Sequence, residues 1–332
     1  MHELTLTYAG ADYLDRTRAL LDGTVRPAGI ALRFLPFHPN VLFRRVVAYT
    51  EFDVAEMSTS GYMNLVARGD DRYIAIPVFL SRNFRHGGIY VSGASGVREP
   101  ADLKGKRAGI LEYQMTAALW QRALLQHEYG VAPTDLEWYE GPLRPPAEGE
   151  PNPIAAPAGT ALQHLPVGQY LESMLAAGEL DVLFSASRPP ALTDGSGRVR
   201  RLFPSYPEVE QDYYRRTGIF PIMHLVVLRR ALYQEHLWIA GSLLTAFREA
   251  QQLGWRRLQD TGTLAVMLPW LAAELEQLAA VMGPQPWPYG FEENYATLSA
   301  MCQYHHEQGL SRERLTPEQL FAPETLGARR AG

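Results

Sequence analysis

Glu112, Tyr113, Gln114 and Thr116 crowd one turn of "GILEYQMTAALWQR" (109–122), where an apolar strand through Ile110 and Leu111 gives way to a helix opening at Thr116. A strand-to-helix junction aims several donors and acceptors at one small volume. Two more loops have this character. In "EMSTSGY", Ser58, Thr59 and Ser60 follow a buried strand and open a helix, so hydroxyls and free backbone N–H groups can together hold an anion, or simply cap the helix. In "FSASRPP", Ser185 and Arg188 follow the apolar run ending at Phe184, and arginine can grip a carboxylate through two parallel hydrogen bonds. "SRNFRHGG" adds Arg82, Arg85 and His86, and a histidine flanked by cationic groups stays neutral near pH 7 and able to act as a base. His224, in "GIFPIMHLVV", is a lone histidine on an apolar strand, read either as a site residue or as a hydrogen-bonded core residue.

The elements that must position these residues alternate in type. "LTLTYAG", "DYLDRTRALLDG", "IALRFLPF", a helix through Val46, and "FDVAEMS" follow the βαβ rhythm of a parallel, helix-covered sheet. Further strands are expected at "YIAIPVFL", "GGIYVSG", 107–111, 181–184 and "IMHLVVLRR", with a helix at "LESMLAAGEL". Residues 141–160 are too rich in proline and glycine for a regular element and are expected to form an irregular, lid-like loop. The last third is helical, Pro269 kinks or restarts one helix, and Thr316-Pro317-Glu318-Gln319 has the capping-box pattern of a final one. The pattern predicts an α/β protein of two lobes. Residues 1–95 and 200–332 form a discontinuous lobe 1 carrying the C-terminal helices, and 96–199 form an inserted lobe 2 with the 141–160 loop. Each lobe is a helix-covered, mainly parallel sheet, and a ligand is expected in a cleft between lobes, beyond the strands' carboxyl ends.

Composition narrows the function classes. With 31 basic against 36 acidic residues and no dense Lys/Arg run, the chain is no candidate for nucleic acid. The opening "MHELTLTYAG" has neither part of a secretory signal and no window is apolar enough for a membrane span, so the expectation is a cytoplasmic protein without membrane contact. Cys302 is the single cysteine, His305 and His306 lack metal-ligand spacing, and no metal site is expected. There is no G-x-S-x-G, no P-loop and no dinucleotide fingerprint, so serine hydrolysis and nicotinamide chemistry are disfavoured. Homo-oligomerisation stays open.

Five blocks carry a resemblance: "FDVAEMSTSGYMNLVARGD", "AIPVFLSRNFRHGGIYV", "EPADLKGKRAGILEYQMTAALWQRALL", "RTGIFPIMHLVVLRR" and "YHHEQGLSRERLTPEQLFAPETL". From about Tyr13 to Leu326 the chain resembles the 4,5-dihydroxyphthalate decarboxylase family, which is similar in fold to the two-lobed, type 2 periplasmic solute-binding proteins but lacks their export signal. The resemblance implies cofactor-independent removal of CO₂ from a hydroxylated aromatic dicarboxylate, with protocatechuate as product. Each carboxyl-bearing ring carbon is para to a hydroxyl, so the ring is the electron sink; the protein must supply a base for the phenol, an acid over the ring carbon and cations for one carboxylate. Under this reading Glu112 is the acid, His86 or His224 the base, and Arg82, Arg85 or Arg188 the clamp. Ser58, Thr59, Ser60, Tyr113, Gln114, Thr116 and Ser185 complete substrate binding. The alternatives are a non-catalytic binding protein for a small aromatic or dicarboxylic anion, and a lyase or isomerase acting on a related acid.

Overall fold

The structure is a computed structural model that describes residues 3–145 and 160–327. Most of the expected proline-rich loop therefore lies outside the described residues. The described residues hold eleven strands in chain order: β1 (Leu4–Gly10), β2 (Ile30–Pro36), β3 (Val54–Ser58), β4 (Tyr73–Arg82), β5 (Ile89–Ser92), β6 (Arg107–Ile110), β7 (Glu137–Glu140), β8 (Leu162–His164), β9 (Val182–Phe184), β10 (Val199–Arg201) and β11 (Ile222–Arg229). Contacts group the chain into two compact units, the first made of Met1–Arg82, Ile222–Ser299 and Thr316–Gly332, the second of Asn83–Pro221 and Ala300–Leu315.

The sheet of the first unit has the order β2-β1-β3-β11-β4. β1 runs parallel to β2 and β3, while β11 runs antiparallel to both its neighbours. β4 and β11 read as nearly unbroken apolar runs, as strands covered on both faces do. Pro77 cannot donate to a ladder, and the β4 to β11 pairing shifts register on both sides of His224. The sheet of the second unit has the order β10-β5-β9-β6-β7-β8, again with one reversed strand, β5. Both sheets are thus mixed.

The pairing explains where the units divide. Residues 83–95 and 200–221, expected in the first lobe, belong to the second unit because β5 pairs with β9 and β10, and the helix Tyr206–Thr217 packs against the turn His86–Gly88. Residues 300–315 join the second unit too, so the C-terminal helices do not all stay with the first. Gln308 accepts from Arg122 Nε at 2.8 Å and donates to the Leu119 carbonyl at 3.0 Å.

Local signals explain the helix ends. Pro269 restarts rather than kinks, since the next helix begins at Leu271. The expected final helix is a single 3₁₀ turn, Pro317–Leu320, where the Thr316 N–H donates to Gln319 Oε1 at 2.8 Å. Among the described residues no helix is long and apolar enough to cross a membrane.

Candidate active site

β3 buries a carboxylate. Glu56 is fully enclosed between apolar neighbours in sequence, and an ionised group in such a place is costly unless hydrogen bonds replace its water. Its donors come from two directions. The Ala11 N–H donates to Oε2 at 2.8 Å, the Tyr13 hydroxyl donates to Oε1 at 2.7 Å, and His224 Nδ1 lies 2.7 Å from Oε1. Burial pushes the Glu56 carboxyl up, but His224, the Ala11 amide and Tyr13 together outweigh it and hold it below the usual carboxylate range. An ionised carboxylate only accepts, so Nδ1 of His224 carries the proton.

Strand register places this pair. His224 stands opposite Ser58 on β3 and opposite Ser81 on β4. Opposed residues share a sheet face, and Glu56, two residues before Ser58, is on that face as well. The cluster lies at the carboxyl ends of β1 and β3, where open α/β sheets bind ligands. The Phe43 ring meets the imidazole edge to face, with centroids 4.8 Å apart, which limits rotation of the ring. The His224 side chain keeps 19% of its surface exposed, and with Nδ1 committed, Nε2 is the nitrogen available to a ligand. Burial first, then the Glu56 charge, raises the Tyr13 phenol far above its ordinary value, so it remains a donor. The Arg16 guanidinium lies 4.3 Å over the Tyr13 ring and 4.5 Å over the Trp287 ring. Arg16 also donates to the Leu80 carbonyl at 2.8 Å and to Asp15 at 2.9 Å. A histidine oriented by a buried carboxylate, with phenol and guanidinium beside it, is suited to moving a proton on an anionic substrate.

The expected residues are distributed more widely. Ser58 caps the helix Thr59–Ala67 through a long 3.4 Å contact with the Gly61 N–H, and shares the face of His224. Thr59 and Ser60 are buried, and Thr59 donates to the Met223 carbonyl at 3.0 Å: helix positions N1 and N2 turn inward, against the expected anion site. Arg82 is buried on β4 and donates to Asn294 Oδ1 at 2.7 Å. In the second unit, burial lowers Arg85 to about 10. His86 is enclosed by Phe203, Tyr213 and Tyr129. Burial, then Arg216, lowers it to about 4, so it is neutral as expected but because of its apolar cage rather than Arg82 and Arg85. Its enclosure corrects the expectation of an accessible base.

The turn at 112–116 also divides. Gln114 Nε2 donates to Glu112 Oε2 at 2.7 Å, and Glu112 is half-buried. Tyr113 belongs to the core: its N–H donates to Glu140 Oε2 at 2.6 Å, and the buried Arg122 guanidinium lies 3.7 Å above its ring. Thr116 is buried as the first helical residue, with Met115 at the cap, so capping does not explain it. Ser185 is buried and its Oγ accepts from the Ser187 N–H at 3.0 Å, whereas Arg188 is exposed. Sequence reasoning missed Glu56, Tyr13, Ser81 and Arg16. The available signal was Glu56 itself, an acidic residue inside the apolar run of "FDVAEMS". Among the described residues no group of three or more His, Cys, Asp or Glu could hold a metal ion.

Comparison with known proteins follows from this geometry. No family model matches the chain. A 4,5-dihydroxyphthalate decarboxylase from Comamonas testosteroni is 37% identical over 326 residues, covering 98% of this chain and 98% of that protein. One from Pseudomonas putida is 36% identical over 215 residues, covering 65% of this chain and 83% of its own length. Among solved structures, a putative sulfonate ABC transporter periplasmic sulfonate-binding protein, SsuA, from Methylobacillus flagellatus superposes with a TM-score of 0.57 at 15% identity, covering 98% of this chain and 93% of that one. That likeness gives the fold, which is of the periplasmic-binding-protein type. Near-complete coverage at this identity gives the family: the chain belongs to the 4,5-dihydroxyphthalate decarboxylase family.

Proposed function

We propose that this protein decarboxylates 4,5-dihydroxyphthalate to protocatechuate, with His224 as the base and Glu56 as the residue that orients it. The family supports the reaction and substrate, since both curated relatives are named for them. The observation that supports the site is the 2.7 Å contact between a buried carboxylate and a partly exposed imidazole at the strands' carboxyl ends. Nε2 of His224 takes the proton from the hydroxyl para to the departing carboxyl. Electron density moves to the carbon bearing that carboxyl, the carbon gains a proton, and CO₂ leaves as aromaticity returns. His224 then gives its proton back to the phenolate, so the net change is one proton gained from solvent and one CO₂ lost. The Glu56 carboxylate stabilises the imidazolium that forms in between. Arg16, whose guanidinium lies over the Tyr13 and Trp287 rings and pairs with Asp15 at 2.9 Å, is the proposed cation for a carboxylate of the dianionic substrate. No cofactor is required by these steps because the ring accepts the electrons. A cytoplasmic location is part of the same proposal, and a chain whose single cysteine, Cys302, is buried fits a compartment where thiols stay reduced.

The test is to incubate chelator-treated protein with 4,5-dihydroxyphthalate and follow CO₂ and protocatechuate together. Stoichiometric release of both is expected. Tight binding without CO₂ would instead make the chain a binding protein for an aromatic dicarboxylate.

A further inference from the structure

The first unit leaves bare a stretch that its own core does not use. After the helix Trp238–Gln259, residues 260–270 form no regular element, and Leu264, Met267, Leu268 and Trp270 are 49, 100, 57 and 77% exposed. The next helix, Leu271–Met282, has already turned its apolar stripe inward: Leu271 is buried, and Leu275, Leu278 and Met282 are half-buried at the spacing of one helix face. Single exposed hydrophobic residues are ordinary, but four large ones this close together form a patch.

We propose that this surface docks a second copy of the chain across a twofold axis. Area and charge each favour that occupant. At roughly 100–200 Å² for a side chain of this size, the four residues offer on the order of 400 Å², the size of the largest patch on a typical monomer. Paired with itself, the patch contributes on the order of 800 Å² of apolar surface, which approaches the ~1,000 Å² of a specific interface. Residues 261–273 carry no charge, while exposed Arg256, Arg257 and Asp260, net positive, precede the patch and exposed Glu274 and Glu276 follow it. A twofold axis turns the segment end for end, so the basic flank of one copy meets the acidic flank of the other. The acidic flank also disfavours an anionic lipid surface.

The experiment is sedimentation velocity on the full chain across roughly 1–100 µM, with circular dichroism and a thermal unfolding midpoint as folding controls. A dimer, or an assembly with an even number of copies, is expected. Met267→Lys with Trp270→Glu should weaken association at least about tenfold without changing the controls. Arg257→Glu should weaken it less, and adding Glu274→Lys on the same chain should restore it, an outcome that misfolding does not mimic. A wild-type chain that stays monomeric throughout, or one whose mass these substitutions leave unchanged, overturns the proposal. So does flotation of the wild-type chain, and not of the Met267→Lys, Trp270→Glu variant, with phosphatidylcholine vesicles.

Discussion

His224 and His86 each lie close to a change of unit along the chain, yet the structure gives them opposite chemistry. His224 donates to a buried carboxylate through one nitrogen and keeps its side chain partly exposed. His86 has an aromatic cage instead, and among the described residues its Nδ1 has no hydrogen-bond partner, while Glu210 sits 3.9 Å away. Both environments remove water from the ring, but just one replaces it with an oriented acceptor. A usable base needs the second arrangement as well as the first.

The widest separation should appear in turnover. His224→Gln is expected to lower kcat about a thousandfold, whereas His86→Phe, which keeps the cage filled, should stay within about threefold of wild type. Equal losses would erase the distinction drawn here. Glu56→Gln removes the charge but keeps the shape, and should cost about a hundredfold in kcat with little change in KM, since it acts through His224 rather than on substrate.

Stability against pH sharpens the other half of the comparison. His86 falls from the usual 6.5 to about 4 on folding, so between those values the unfolded chain binds a proton that the folded one refuses, and stability is lost as pH falls. Burial pushes Glu210 up from the usual 4.5 to about 7, so between those values the folded chain keeps a proton that the unfolded one has released, and stability is lost as pH rises. Each effect amounts to about 3 kcal/mol at full extent, and in the wild type they oppose one another. Urea titrations of Glu210→Gln should expose the first slope, with stability dropping from pH 6.5 to 4. Those of His86→Phe should expose the second, with stability dropping from pH 4.5 to 7. Flat profiles in both variants would mean that neither group is perturbed by its cage. The smallest effect is expected at Ser58→Ala, about 0.5 kcal/mol by urea unfolding, because its capping contact with Gly61 is long.

Much of the fold was legible because apolar periodicity marks the strands directly: the segments around β1, β2, β3, β4 and β11 were all expected. Pairing was not legible, since β5 and β10 are short and nothing in "GGIYVSG" says which sheet it joins. That is why residues 83–95 and 200–221 were expected in the other unit. In the site, His224 and Ser58 were named from local pattern, but their relation depends on a strand register across some of the longest separations in the chain. Glu56 hid for a related reason: a buried carboxylate is explained by its partners, and Ala11 and Tyr13 on the one hand and His224 on the other come from two distant segments. Tyr113 misled because polar-looking turn residues can face inward when an arginine such as Arg122 covers them.

The place of β11 has a consequence for how the chain comes into being. In its sheet β11 separates β3 from β4, but it leaves the ribosome only after all of Asn83–Pro221 has been made. Until then β4 lacks its ladder neighbour and Glu56 lacks the imidazole that helps keep it ionised, so the nascent first unit exposes an unpaired strand edge and an uncompensated acid. Long-range pairing of this kind is slow to form. Closing the sheet and arming the base are therefore one event: a chain whose first unit is folded has its histidine seated, and a chain stopped before residue 222 has neither.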